Sequence, residues 1–302
     1  MAHGLRFGVL FLPNVSWPVL RERVVRAEEL GIETAGLADH FVDWTNPANP
    51  WFESWTALTG LAGATKSIRL ASWVTQIALR NPAMLARQAL TLDHVSGGRL
   101  DLGLGTGIAG DPSYDMIGVP TWEPAERVAR LAEYVQIVDR LLREEVTSFA
   151  GTYYRVDGAT VNPRPVQVPR PPITIAALGP VLMRVAARHA DTWNSMSFLG
   201  VFDEQVEETR GRLEAMREYC AAVGRDRTTL RAAYLMFDAT ARPRGGSMAY
   251  YESVGRFEDM AGRILELGVD EIDLYYPLDE RQVPTFERIA TDVLPRLRGA
   301  RS

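Results

Sequence analysis

Short apolar runs recur along the chain, each followed by a longer stretch in which apolar residues return every three or four positions. The runs predict strands at residues 5–12 (LRFGVLFL), 34–38, 68–75, 100–104, 173–177, 192–195, 230–237 and 271–275. The stretches between them predict helices at 16–30, 51–65, 81–94, 123–144, 181–190, 203–223, 250–267 and 284–297. Local signals agree: Pro18 suits a first turn, Gly31 a helix end, and Asn81–Pro82 a helix start. Strands that alternate with helices imply a parallel sheet with crossover helices. Eight such units imply an α/β fold closed into a (β/α)8 TIM barrel, with one domain over residues 1–302. Residues 146–154 read as a small hairpin, and NPRPVQVPRPP (162–172), with five prolines, as an extended connector. An insertion around residues 146–172 therefore interrupts the alternation.

Composition narrows the function classes. The 302 residues carry 33 basic and 38 acidic side chains, a formal net charge of -5, which disfavours a nucleic-acid partner. No apolar run approaches a membrane span, and the N-terminal run is too short for a secretory signal, so a soluble cytoplasmic protein is expected. The single cysteine, Cys220, excludes an intrachain disulfide and reads as a thiol buried in a helix. No H-x-H, H-E-x-x-H or G-x-S-x-G occurs, so a metal centre and serine hydrolysis lack support.

In a barrel, chemistry sits on the loops after strand C-termini. Asp39 and His40 follow the second strand, and a histidine there can carry a proton at neutral pH. Asp39 is placed to orient the ring or to meet a ligand. Trp44 and Trp73 are placed to wall a flat cofactor, whereas Trp51 and Trp55, four residues apart, read as helix core. Gly105, Gly107 and Gly110 spell G-x-G-x-x-G, but Asp111, Pro112 and Ser113 read as loop where that motif needs a helix. The glycines read instead as backbone approached closely by a flat ligand. Ala177, Leu178, Gly179 and Pro180 join a strand to a helix whose first amides suit a phosphate or form a plain turn.

These stretches carry a resemblance. AEELGIETAGLADHF (27–41), SIRLASWVTQI (67–77), NPAMLARQALTLDHVSGGRLDLGLGTG (81–107) and PPITIAALGPVLMRVAARHADTWN (171–194) are similar to the bacterial luciferase-like monooxygenases, a family of flavin- and deazaflavin-dependent oxidoreductases. The resemblance implies a barrel, a substrate-related excursion near 146–172, a homodimer and a small-molecule substrate. ADHFVDW resembles the branch that uses coenzyme F420, in which the aspartate and histidine (here Asp39 and His40) contact the deazaflavin and the histidine carries a proton. ASWVTQI corresponds to a third-strand bulge behind the cofactor ring (Trp73, Val74, Thr75), with a non-proline cis peptide expected at Trp73–Val74. Gly105, Thr106 and Gly107 match a cofactor-contacting loop, and Ala177, Leu178 and Gly179 the stretch that holds cofactor phosphate. Where sugar-phosphate dehydrogenases of this branch carry a catalytic glutamate, this chain has Ile108, which points to a more apolar substrate. The implied activity is hydride transfer between deazaflavin C5 and a small organic molecule. The alternative is a two-component monooxygenase using reduced FMN and oxygen with a separate flavin reductase. An anionic F420 also predicts a patch of arginines and helix amides near Gly179.

Overall fold

The computed structural model describes residues 3–300. In chain order, β1 (Arg6–Phe11) leads to α1 (Trp17–Glu29), and β2 (Thr34–Leu37) to α2 (Ser54–Ala64). β3 (Arg69–Ser72) resumes after two residues as β4 (Thr75–Gln76), then come α3 (Pro82–Ser96) and β5 (Leu100–Gly105). α4 (Pro112–Ile117) and α5 (Pro124–Arg143) precede a hairpin of β6 (Thr147–Ala150) and β7 (Arg155–Ala159). The order continues with β8 (Ile173–Ala176), α6 (Pro180–His189), β9 (Thr192–Met196), α7 (Phe202–Ala222), β10 (Arg231–Met236), α8 (Val254–Glu266) and β11 (Glu271–Tyr275). α9 (Val283–Arg288) and α10 (Leu294–Gly299), joined by a π-helical turn, complete the described chain. With β3 and β4 taken as one interrupted strand, all eight expected strands are present. No helix among the described residues is long and apolar enough to cross a membrane.

Residue contacts fall into two compact units. One holds residues 1–11, 26–35 and 177–302. In it β1, β11, β10 and β9 run parallel, with Phe7 and Tyr234 both opposite Ile272, and Ala232 opposite Trp193. Phe7, Val9, Tyr234, Ile272 and Leu274 are fully buried, as parallel strands covered on both faces require. Each large apolar side chain so buried contributes about 1.5–3 kcal/mol. Cys220 is buried in α7, and burial pushes its thiol up.

The other unit holds residues 12–25 and 36–176. β5 lies between β3 and β4 on one side and β8 on the other, with Leu70 opposite Leu100, Thr75 opposite Leu104 and Leu102 opposite Ile173. α3 starts where Asn81 accepts the Ala83 amide and ends at Gly97 in the left-handed region. α5 packs on it and buries Leu131, Val135, Val138 and Leu142.

The insertion is fastened along its length. Glu133 of α5 accepts the amides of Thr152, Tyr153 and Tyr154 at the hairpin turn. Asp93, in the last turn of α3, accepts the amides of Val166 and Gln167, and the Gln167 side chain donates to Leu100 O and accepts from Arg69. Leu100 and Arg69 begin β5 and β3, so the connector runs past the N-terminal strand ends. At the hairpin turn, by contrast, Tyr154 sets its ring edge-on to Tyr134 of α5, whose hydroxyl donates to Arg80 O at 3.2 Å.

Candidate active site

β3 ends at Ser72, whose side-chain hydroxyl is engaged from several sides. The Ser72 hydroxyl donates to Gly103 O (3.0 Å) and accepts from Gly103 N (3.1 Å). Thr75 Oγ1 donates to it at 2.9 Å and itself accepts the Trp55 indole N–H at 3.2 Å. Between Ser72 and Thr75, the Trp73–Val74 peptide is cis, at the bond the resemblance singled out. The Trp73 amide donates to Leu37 O at 2.8 Å, and its ring lies so close over Gly36 that a Cβ there would come within 2.1 Å. The glycines of β5 have the same kind of cause. A Cβ on Gly103 would meet Ser72 O at 1.9 Å, one on Gly105 would meet Val74 at 2.4 Å, and one on Gly107 would meet the Tyr114 hydroxyl at 1.8 Å. Protein atoms fill the Cβ side of these three glycines, whereas a Cβ on Gly110 would meet nothing within 4 Å.

The strand ends of this unit carry a polar network. Asp39, 2% exposed, receives both guanidinium nitrogens of Arg80, the Ser54 hydroxyl (2.9 Å) and the Gln76 amide N–H (3.1 Å). Burial pulls the Arg80 pKa down, but its bonds with Asp39 outweigh this and raise it. His40 turns instead to Asp111: Nδ1 lies 2.6 Å from Oδ2. No hydrogen-bond partner is found for its Nε2 among the described residues. Gln76 Nε2 lies 2.7 Å from Asp39 O, 3.0 Å from Asp111 Oδ2 and 2.9 Å from His40 Nδ1. Tyr114 donates to Gln76 Oε1 at 2.5 Å. Asp111 Oδ1 accepts the Ser113 amide at 2.8 Å and so caps α4. Burial alone would raise Asp111, but the bonds from His40, Ser113 and Gln76 hold its carboxyl well below the usual range. Burial, with the nearby Asp111 charge adding to it, pushes Tyr114 up to about 12.

Sequence reasoning placed Asp39 and His40 at this strand end and pointed to the stretches 73–76 and 105–111, but gave no role to Gln76, Arg80, Asp111 or Tyr114. A helix does begin at Pro112, where a loop was expected, and the Asp111 carboxylate occupies its N-cap. Asp-Pro-Ser is a readable start signal for such a helix. Trp55 is buried as expected, but α2 begins at Ser54, so Trp51 lies outside it. Trp51 instead sets its ring edge-on to His40, 5.7 Å between centroids. Phe41, Trp44, Ile108, Met116 and Ile117 are exposed apolar residues on the segments that flank the His40–Asp111 pair. Thr75 is fully buried, Trp73 and Val74 are half-buried, and Thr106 donates to the adjacent Gly107 carbonyl.

In the other unit, Ala177 gives its amide to Asn194 O (3.0 Å) and accepts the Trp193 indole N–H (2.8 Å). Leu178 is half-buried, and the exposed Gly179 starts α6 with no side-chain cap. The first turn of α6 itself holds no arginine. Arg184 stacks on Tyr219 and Arg188 lies in the last turn.

Residues 5–254 match the family model of the luciferase-like monooxygenases. The chain belongs to this family. An F420-dependent glucose-6-phosphate dehydrogenase of Intrasporangium calvum is 38% identical over 176 residues, 57% of this chain and 52% of that protein. A 5,10-methylenetetrahydromethanopterin reductase of Archaeoglobus fulgidus is 31% identical over 188 residues, 62% of this chain and 52% of that protein. The chain thus spans about half the length of these curated relatives. A solved F420-dependent secondary alcohol dehydrogenase, in complex with an F420-acetone adduct, matches at a TM-score of 0.80 and 17% identity, over 95% of this chain and 99% of that one. At that identity the likeness shows the fold, a (β/α)8 barrel of the luciferase-like kind. The relatives favour the F420-dependent branch of the family.

Proposed function

We propose that this luciferase-like chain is an F420-dependent oxidoreductase that moves a hydride between the deazaflavin and a small, largely apolar organic substrate. The observation that carries this reading is a histidine held by a carboxylate, 2.6 Å from Nδ1 to Oδ2, in the same unit as the Trp73–Val74 bulge. Bound F420 supplies a carbon, C5, that gives or takes the hydride. His40 gives or takes the accompanying proton, the task for which a histidine suits neutral pH. Asp39 has both oxygens committed to Arg80, Ser54 and Gln76, so it acts by positioning the end of β2. Trp73 and Val74 offer a half-buried surface for a flat ring, and Thr75 braces it from beneath through Ser72. The segment Gly105, Thr106 and Gly107 carries the chain from β5 toward Asp111. The uncapped start of α6 after Ala177, Leu178 and Gly179 fits a phosphate, because helix N-terminal amides attract anions. Exposed Phe41, Trp44, Ile108 and Met116 support an apolar substrate over a sugar phosphate.

The test is a binding titration of the purified protein with F420 and with FMN, followed by turnover. Binding of F420 with a bleached deazaflavin absorbance on adding an alcohol panel supports the reading. Tight FMN binding without F420 binding, and oxygen uptake with reduced FMN, would establish the monooxygenase alternative instead.

A further inference from the structure

The hydrogens around Gln76 decide where His40 carries its own. A primary amide has two hydrogens on nitrogen and only acceptor capacity on oxygen. Gln76 Nε2 faces Asp39 O at 2.7 Å and Asp111 Oδ2 at 3.0 Å, and both are acceptors only. Turned over, the amide would set its oxygen against those two acceptors and its nitrogen against the Tyr114 hydroxyl. As it stands, Oε1 accepts from Tyr114 at 2.5 Å and both amide hydrogens are occupied. None remains for His40 Nδ1, although Nε2 lies 2.9 Å from it. Asp111 Oδ2, an acceptor at 2.6 Å, must therefore receive a hydrogen from Nδ1 itself.

We propose that Asp111 is a positioning residue that fixes the Nδ1–H tautomer of His40, so that His40 exchanges its proton only at Nε2. Gln76 and Tyr114 complete the device by holding the second donor onto Asp111 Oδ2. The other groups that face this pair are Tyr114 on α4, Asp39 at the end of β2 and Arg80 after β4, with Trp51 offering only a ring edge. The consequence for turnover rests on His40 being the proton carrier proposed above, whereas the tautomer does not.

The test uses protein labelled with 15N at histidine and two-dimensional spectra that report both ring nitrogens, with His40 assigned by its loss in His40→Gln. The expected result in the neutral ring is a protonated Nδ1 and a bare Nε2. Asp111→Ser leaves a hydroxyl to cap α4 but withdraws the oxygen from His40. In it the Nε2–H tautomer is expected to become populated. With F420 and an accepted substrate, kcat should fall at least about tenfold, with KM little changed. Tyr114→Phe should shift the tautomer in the same direction by less. A wild-type His40 protonated at Nε2 with a bare Nδ1, or a tautomer unchanged in Asp111→Ser, would overturn the proposal. If the tautomer is as expected but F420 supports no turnover, it is the proposed function that fails and the assignment of Asp111 stands.

Discussion

The segment ends of the two units solve different problems with different parts of the chain. Around His40, six polar side chains from three segments (Asp39 and His40, Gln76 and Arg80, Asp111 and Tyr114) bond one another in a buried network. At the start of α6, Ala177, Leu178 and Gly179 offer no polar side chain at all, only backbone. A proton can be stored and released only by a titratable side chain, and that side chain needs neighbours to fix its tautomer. A permanent anion can be held by amides that never titrate. The first region should therefore be sensitive to side-chain identity and to pH, and the second only to a charge placed on its amides.

The strongest way to break this contrast is His40→Ala. Turnover is expected to fall about 10²–10⁴-fold, the usual contribution of one positioned acid or base, while F420 still binds by fluorescence titration. Turnover like that of the wild type would remove His40 from the chemistry. Next in size is Arg80→Ala, which leaves the buried Asp39 without its guanidinium. Breaking a buried pair from one side costs about 3–5 kcal/mol, and urea unfolding curves would report it as a lower midpoint. Acid offers a companion measurement on Asp111. Its folded carboxyl lies below the ordinary value of 3.8, so the unfolded chain takes up the proton first as pH falls. The stabilisation is complete above that value and is lost as pH drops below it. Asp111→Ser should show a shallower loss over that range.

Much of this fold is legible in the chain because buried parallel strands are continuous apolar runs, and the apolar and turn signals fix their ends to within a residue. Strand three is the exception. Its apolar run continues from residue 68 to 75, and only the contacts of Ser72, Thr75 and Trp55 show why it breaks. The site was half legible for a similar reason. Asp39 and His40 are adjacent at a strand end, a local signal. Asp111 is 71 residues from His40, and its selection depends on where α4 starts, which an expected loop concealed. The glycines were recognised as places of close approach, but what approaches them, Val74 and Tyr114, is a tertiary fact.

Gly107→Ala tests the close packing on the network's side. Gly107 has φ 78, and its Cβ would lie 1.8 Å from the Tyr114 hydroxyl and 2.6 Å from Gln76 Oε1. A loss of about 1–3 kcal/mol is expected from the left-handed backbone and the overlap together. Activity should fall further than stability alone explains, because Gln76 and Tyr114 must move. Equal losses in both would show that the glycine serves packing only.

The smallest stability effect is expected on the other side of the comparison, and its sign is informative. Gly179 has φ -89, within the range of any residue, and a Cβ there meets nothing within 4 Å. Gly179→Asp places a carboxylate at the N-cap of α6, where it can accept an exposed amide and face the positive end of the helix dipole. Thermal unfolding should rise slightly, by a few tenths of a kcal/mol. If those amides hold the F420 phosphate, the new carboxylate competes for them, and F420 affinity should fall about tenfold, a cost of about 1.4 kcal/mol. Gly179→Ala, which adds a methyl group and no charge, should leave F420 affinity unchanged and lower stability, since alanine is a poorer N-cap than glycine. A side chain that stabilises the fold while weakening the cofactor is the signature of a backbone anion site. Weakening by both variants alike would point instead to a steric role for the turn, and weakening by neither would place the phosphate elsewhere.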